Sequence, residues 1–403
     1  MPLLSIVIPT KNRADTAYHC IRNCLSLASG NIEIIVHDCS DNNDLETKIK
    51  QEFSDERLSY YHVDPVSMTK NWNLAMEKAG GEYVLFLGDD DGITAELVNA
   101  AEWAQRNGID AVSTPRGAEY FWPNFPDKRR AGKLLVRSFT GKVTFPGPQA
   151  EFERSLSHPR PPNYTLMPTI YTGFVRRALM KEILHDTGTY FDSINVDYYL
   201  SLMLLPRIKK YAVIDYPLAI VGLSGKSNSA RSQDTKGRAD FLLEYTGFVW
   251  PEELPQNTRS SIGYYMEPKL TAFKNMKRND LIKKIDYPYC YAVALIEERG
   301  PGIGKILQQY ERTMKKLGIN EARGWILLIA VGCRIIVERI VLKIWSYSPM
   351  KKNPFFFSAA AANIEQAETA LTNQLRTSKQ TFHELLQAFD VNVKMRIQNR
   401  KPA

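Results

Sequence analysis

The stretch that decides the fold is Tyr83-Val84-Leu85-Phe86-Leu87-Gly88-Asp89-Asp90-Asp91-Gly92. Five consecutive apolar residues suit a strand buried on both faces, and the glycine after them ends it. Three adjacent carboxylates then repel one another, a cost that a shared cation would relieve. Oxygen ligands alone at a strand end suit Mg2+ or Mn2+, which bind through one or two carboxylates and substrate phosphates. An acidic turn capping the next helix is the plainer reading of a bare Asp triplet. The position at a strand end favours the metal.

Outward from this stretch, strand and helix signals alternate. Residues 3–9 and 32–36 are short apolar runs. Residues 14–27, 69–79 and 95–106 carry helical periodicity. Such alternation predicts an α/β fold, a mostly parallel Rossmann-like sheet covered by helices. Ligands bind beyond the carboxyl ends of its strands, where the polar loops 37–44 and 88–92 lie. Residues 115–165 have weak periodicity and read as a long excursion over the site. Order returns with strands at 169–175 and 211–220 and helices at 178–184 and 196–205. From about residue 236 helical patterns dominate, so the expected division is a catalytic domain over 1–235 and a helical region over 236–403. Residues 359–395 read as one long polar helix.

The chain has 403 residues, enough for a sizeable core, with 44% hydrophobic and 24% charged residues as in ordinary globular proteins. Its five cysteines show no paired framework and read as reduced thiols of a cytoplasmic protein. The N-terminus reads as a strand rather than a signal peptide, and no window reaches the ~18 apolar residues of a membrane span. The net charge of +8 is uneven: residues 265–353 carry 17 basic against 8 acidic residues. Nucleic acid is not the expected partner, since no recognition module is present and the basic excess lies away from the acidic site.

Further candidates stand beside the triplet. Asp38, after the second strand, can accept the imide N–H of a uracil ring or close an Asx-turn. Lys11 and Arg13 follow the first strand and can reach phosphate, or serve as solvated loop charges. Asp197 opens a helix, where it can cap the helix or act as a general base. The loop Gly222-Leu223-Ser224-Gly225-Lys226-Ser227-Asn228-Ser229 offers backbone N–H groups, hydroxyls and one cation to a diphosphate, without the spacing of a Walker loop. In residues 325–345, Ile336, Val337, Ile340 and Ile344 share one helical face with charges opposite. That helix could lie in a membrane surface, pack in a core or form a dimer interface.

Ser5-Ile-Val-Ile-Pro-Thr-Lys-Asn-Arg13, Glu33-Ile-Ile-Val-His-Asp38, Asn73-Leu-Ala-Met-Glu-Lys-Ala-Gly-Gly-Glu-Tyr83 and Leu87-Gly-Asp-Asp-Asp91, in this order, resemble family 2 glycosyltransferases of the GT-A fold. The likeness is specific over 1–92 and continues more weakly to about 235. It implies an inverting, metal-dependent transferase using Mn2+ or Mg2+ and a nucleotide-sugar donor, with uridine as the base. Pro9, Thr10, Asn12 and Arg13 line the nucleoside site and Asp38 holds the base. Asp89 lies by the donor, Asp90 and Asp91 by the metal. Asp197 is the catalytic base, and Lys226 and Ser227 close on the diphosphate. Lys11, His37, Trp72 and Gly88 depart from the family pattern, with the lost carboxylate at Gly88 offset by Asp89 and Asp91. A saccharide or lipid-linked saccharide acceptor follows, in cell-surface polysaccharide or glycolipid synthesis at the inner face of the membrane, with a homo-oligomer as one role for the helical region. The alternatives are a non-catalytic glycosyltransferase-like binding or scaffold protein, and a nucleotidyltransferase, which would want a glycine-rich loop after the first strand.

Overall fold

The computed structural model describes residues 1–115, 117–157, 166–227, 249–256, 260, 262–298, 302–346, 355–377, 382, 384 and 386. The expected boundary near residue 236, and Asn228 and Ser229 of the Ser/Gly loop, lie outside these residues. Strands β1 (Leu4–Thr10), β2 (Ile32–Asp38), β3 (Leu58–His62) and β4 (Tyr83–Phe86) form a parallel array in the order β3-β2-β1-β4. Between them run α1 (Ala14–Leu25), α2 (Asp44–Glu52) and α3 (Met68–Lys78). The β1 register sets Thr10 beside Asp38 and Val7 beside Phe86, so three strand ends open on one edge.

Helix α1 buries Ala17, Cys20, Ile21 and Cys24 on one face of this sheet. Helix α3 buries Trp72, Ala75 and Met76 on the other. Trp72 stacks on Phe86 with ring centroids 4.4 Å apart, so this departure from the family pattern is a core residue. The sheet continues through β10 (Phe174–Arg176), β6 (Ala111–Ser113), β11 (Tyr211–Ile214) and β9 (Val143–Thr144). Strand β10 is antiparallel to both β4 and β6, so the sheet is mixed beyond β4. The mostly parallel α/β architecture expected from the strand–helix alternation is present.

Three expectations need correction. Residues 115–165 are not a structureless excursion: they contain β7 (Ala118–Phe121), β8 (Lys133–Arg137) and α5 (Pro148–Ser157). The apolar run at 211–220 is two strands in two sheets, β11 and β12 (Ala219–Leu223), parted at Pro217, which has no N–H for a ladder. The helix expected at 359–395 starts later, with β13 (Phe355–Ala360) before it and α13 (Ile364–Arg376) as its described part, while most of the rest of that stretch lies outside the described residues. Strand β13 pairs with β8 on a second sheet ordered β13-β8-β7-β12-β5, where β5 is Gly92–Ile93. Helix α13 returns to α1, where Glu365 accepts from His19 Nδ1 at 2.6 Å and pairs with Arg22 at 3.0 Å.

Helices α6 (Arg177–Thr187), α7 (Val196–Leu204), α8 (Gly263–Asn275), α9 (Asn279–Ile282), α10 (Tyr287–Glu297), α11 (Ile303–Lys316) and α12 (Glu321–Ser346) extend the α3 side of the core. Leu200, Leu270, Tyr291, Tyr310, Leu328 and Ile335 belong to the same buried cluster as Val7 and Trp72. The helical region is thus built onto the sheet. Helix α4 (Glu96–Arg106) covers the opposite face with Trp103 at its centre.

Candidate active site

The Asp triplet is the junction between the two sheets, since β4 precedes it and β5 follows it directly. Each carboxylate meets different partners. Asp89 accepts from Thr10 Oγ1 at 2.7 Å and from Arg13 Nη1 at 2.9 Å, tying the loop after β1 to the end of β4. Burial opposes the Arg13 charge, but Asp89 and then Asp90 outweigh it and hold the guanidinium above its ordinary pKa. Asp90 accepts from Ser224 Oγ at 2.7 Å and Ser224 N at 3.2 Å, and its carbonyl receives Trp122 Nε1 at 2.9 Å. Burial, together with the charges of Asp89 and Asp91, pushes the Asp90 carboxyl up to about 7, against the pull of Arg13 and Ser224.

Asp91 was expected as a second metal ligand, and its geometry is that of a structural brace. It is wholly buried; Oδ1 accepts from Gly222 N at 2.6 Å, and Oδ2 from Tyr171 Oη at 2.6 Å and Gly88 N at 3.0 Å. The same contact explains Gly88: a Cβ there would sit 2.7 Å from Asp91 Oδ2. The carboxylate missing at position 88 is therefore not replaced by Asp91. Thr172, beside Tyr171, is held at φ 60, an unusual conformation for a β-branched residue.

The remaining candidates separate into two groups. Asn12, at φ 57, reaches the loop after β2: its N–H donates to Ser40 Oγ at 2.7 Å and Nδ2 to Asp41 Oδ2 at 2.6 Å. Pro9 is half-buried opposite His37, and Lys226 is exposed near Asp15. Ser227 is buried, its N–H turned to Ser224 O at 3.1 Å. Asp38, by contrast, is wholly buried, with Oδ1 accepting from Ser40 N and Oδ2 from Tyr60 Oη, both at 2.8 Å. This closes the Asx-turn at the end of β2. Asp197 lies half-buried in the first turn of α7, one oxygen accepting from Tyr198 N at 3.0 Å.

Asn71 and Tyr171 carried no signal in the sequence, while Asn73 and Ser224 stood in segments that did without a role of their own. Asn71 Oδ1 meets His37 Nδ1 at 2.6 Å, while its Nδ2 donates to the Thr10 and His37 carbonyls, clamping the ends of β1 and β2. Asn73 holds Thr189, Tyr190 and Phe191 through its Oδ1 and the Phe191 carbonyl through Nδ2. Tyr171 and Ser224 complete the carboxylate site from 80 and 134 residues away.

A divalent hard cation needs one or two carboxylates, with phosphates and waters filling its octahedron. Among the described residues no three His, Cys, Asp or Glu side chains converge on one point. Asp90 meets the smaller requirement: it is a carboxyl at the strand edge whose charge is disfavoured by its neighbours, and a cation would relieve it.

Fold and site define an open α/β domain with three buried carboxylates at the carboxyl edge of its parallel strands. Residues 5–157 match the family model Glycosyl transferase family 2. An uncharacterized glycosyltransferase of Rickettsia bellii is 31% identical over 88 residues, 22% of this chain and 13% of the relative. The GalNAc(5)-diNAcBac-PP-undecaprenol beta-1,3-glucosyltransferase of Campylobacter jejuni is 31% identical over 104 residues, 25% of this chain and 32% of that one. The chain thus spans less than a third of these curated relatives. Among solved structures, TarS of S. aureus in complex with UDP-GlcNAc superposes with a TM-score of 0.43 at 14% identity, covering 82% of this chain and 90% of that one.

Proposed function

We propose that the protein is an inverting glycosyltransferase that moves a sugar from a nucleotide-sugar donor, with UDP as the carrier, to an acceptor hydroxyl. The observation that carries this is the convergence of Thr10, Arg13 and Ser224 on Asp89 and Asp90 at the carboxyl edge of the family-matched sheet. Pro9, Thr10 and Asn12 receive the nucleoside beside Asp38, and Arg13, Lys226 and Ser227 face the diphosphate. Asp90, with Asp89 beside it, would hold Mn2+ or Mg2+, which would supply Lewis-acid charge neutralisation for a departing diphosphate. Asp197 takes the proton of the acceptor hydroxyl; that oxygen bonds to the anomeric carbon as the bond from carbon to diphosphate oxygen breaks.

The acceptor is a saccharide carried on lipid, as the name of the Campylobacter relative states for its own acceptor, and the protein meets it at the inner face of a membrane. Support comes from α12, whose Ile326, Ile329, Ile336, Val337, Ile340 and Ile344 form an exposed stripe beside Arg334, Arg339 and Lys343. Among the described residues no helix is long and apolar enough to cross a membrane, so a surface contact is the form this takes.

The test is thermal stabilisation by a panel of nucleoside diphosphates, with and without Mn2+, on the wild type and Asp90→Ala. A Mn2+-dependent shift with UDP, worth about 2.7 kcal/mol at a hundredfold excess over Kd, is expected and is lost in the variant. No shift with any nucleotide in the wild type would remove the transferase reading.

A further inference from the structure

The turn that presents Asp197 is held by a helix of the basic region. Asp192, Ser193, Ile194 and Asn195 precede α7, and α8 runs across them. Ser193 Oγ donates to Glu267 Oε2 at 2.6 Å, and Ile194 N points to the same oxygen at 3.3 Å. Asn195, the N-cap of α7, donates through Nδ2 to the Tyr264 carbonyl at 2.9 Å. That carbonyl is open to it for a covalent reason: residue 268, whose N–H would fill it in a regular helix, is Pro268. Asn275 at the other end of α8 donates to Asp192 Oδ2 and Tyr199 Oη, both at 2.9 Å. From the opposite side Thr69 Oγ1 donates to the Ser193 carbonyl at 2.6 Å.

Glu267 is the unusual member of this set. It is 1% exposed, on a helix whose neighbouring Met266, Leu270 and Phe273 are core residues. A buried carboxylate is costly, and an apolar side chain here would serve packing better. Burial pushes its carboxyl up to about 7, even with hydrogen bonds from Ser193, Thr271 and Ile194 working the other way. Two of those three donors belong to the turn ahead of Asp197; Thr271, at 2.8 Å, only steadies Glu267 from its own helix.

We propose that Glu267 is a positioning residue for glycosyl transfer: its carboxyl fixes the turn 192–195 and thereby the carboxylate of Asp197. This rests on the reading of Asp197 as the base. It gives α8 a part in catalysis although no α8 side chain need touch substrate.

The experiment uses the full chain and a panel of UDP-sugars, with released UDP as the signal and water as the acceptor where no saccharide is supplied. Glu267→Ala is expected to lower kcat at least tenfold with donor KM within twofold, and to raise deuterium uptake across 191–200. Glu267→Gln, which keeps the acceptor oxygen, restores most of the rate, and Ser193→Ala, which removes the same bond from the turn, lowers kcat as Glu267→Ala does. Should Glu267→Ala fail to fold, the contrast between Ser193→Ala and Glu267→Gln decides. Unchanged kcat in Glu267→Ala or Ser193→Ala, with Asp197→Asn inactive, overturns the positioning role alone. Turnover retained in Asp197→Asn, or no turnover of any donor by the wild type, overturns the base assignment and this inference with it.

Discussion

Gly222 shows how tightly the site is assembled at the level of single atoms. A Cβ on it would lie 1.7 Å from the Asp90 carbonyl oxygen and 2.4 Å from its carbonyl carbon, both backbone atoms that cannot swing away. Gly222→Ala is expected to cost about 1–3 kcal/mol, read as a lower Tm. Because the strain withdraws Ser224 from Asp90, it should also abolish Mn2+-dependent UDP binding measured by calorimetry. Glu267 yields a prediction of another kind. Its folded pKa, about 7, stands above the ordinary 4.5, so the folded state holds the proton more tightly than the unfolded chain. The stability this confers is complete below about pH 4.5 and is lost as pH rises through 7, on the order of 3 kcal/mol. Among the groups facing it, the Asp192 charge adds to the effect. Denaturant melts between pH 5 and pH 8 should show a steeper decline in the wild type than in Glu267→Gln, the part owed to the raised carboxyl of Asp90 being common to both. These residues also mark where sequence reasoning stops. Asp89, Asp90 and Asp91 are identical letters, and their different surroundings are set by Thr10, Ser224 and Tyr171, which only the fold brings near. Asp38 is a single letter too, and its contacts with Ser40 and Tyr60 appear only once β2 and β3 are paired.

At the level of elements, α1, α3, β1, β2 and β4 were legible because each has strong local periodicity and pairs with a near neighbour in the chain, whereas the short strand β3 was not read. Strand β13 was not read either, and helix α13 was read only as part of a longer helix. Phe355–Ala360 alternates only weakly, and its partner β8 lies more than 200 residues earlier, so no local pattern announces the pairing. The register is nonetheless well supported. Ile364 is wholly buried, lies against Gly92, and shares a cluster with Ala367 and Leu371. Ile364→Ala should cost about 2–5 kcal/mol through the cavity it leaves. Chemical denaturation would check this, and a loss below about 0.5 kcal/mol would mean that α13 does not dock as described.

Across the whole molecule, charge and exposed apolar surface coincide on α12. Twenty-six residues of helix span about 39 Å, with Ile326 and Ile344 each 67% exposed near its two ends. Such a stripe is expected to bring the protein down with vesicles containing anionic phosphatidylglycerol. Replacing Ile336 and Ile340 by Asp should abolish co-sedimentation, and raising salt to ~1 M should weaken it by screening the basic flank. Binding that survives both changes would place the contact elsewhere. The basic excess over residues 265–353 was legible from composition, whereas its confluence with a sheet-borne core was not, because helices that pack on their own and helices that pack on a sheet carry the same pattern.

The return of β13 to β8 also sets an order of events during synthesis. Strand β8 is finished by residue 137, and the strand that covers its edge begins only at residue 355. At about 5–20 residues per second, the ribosome leaves that edge unpaired for roughly 10–40 s. A nascent chain in that interval presents open backbone donors and acceptors to any neighbour. Slowed translation between the two strands would therefore lower soluble yield, while leaving the finished protein unchanged.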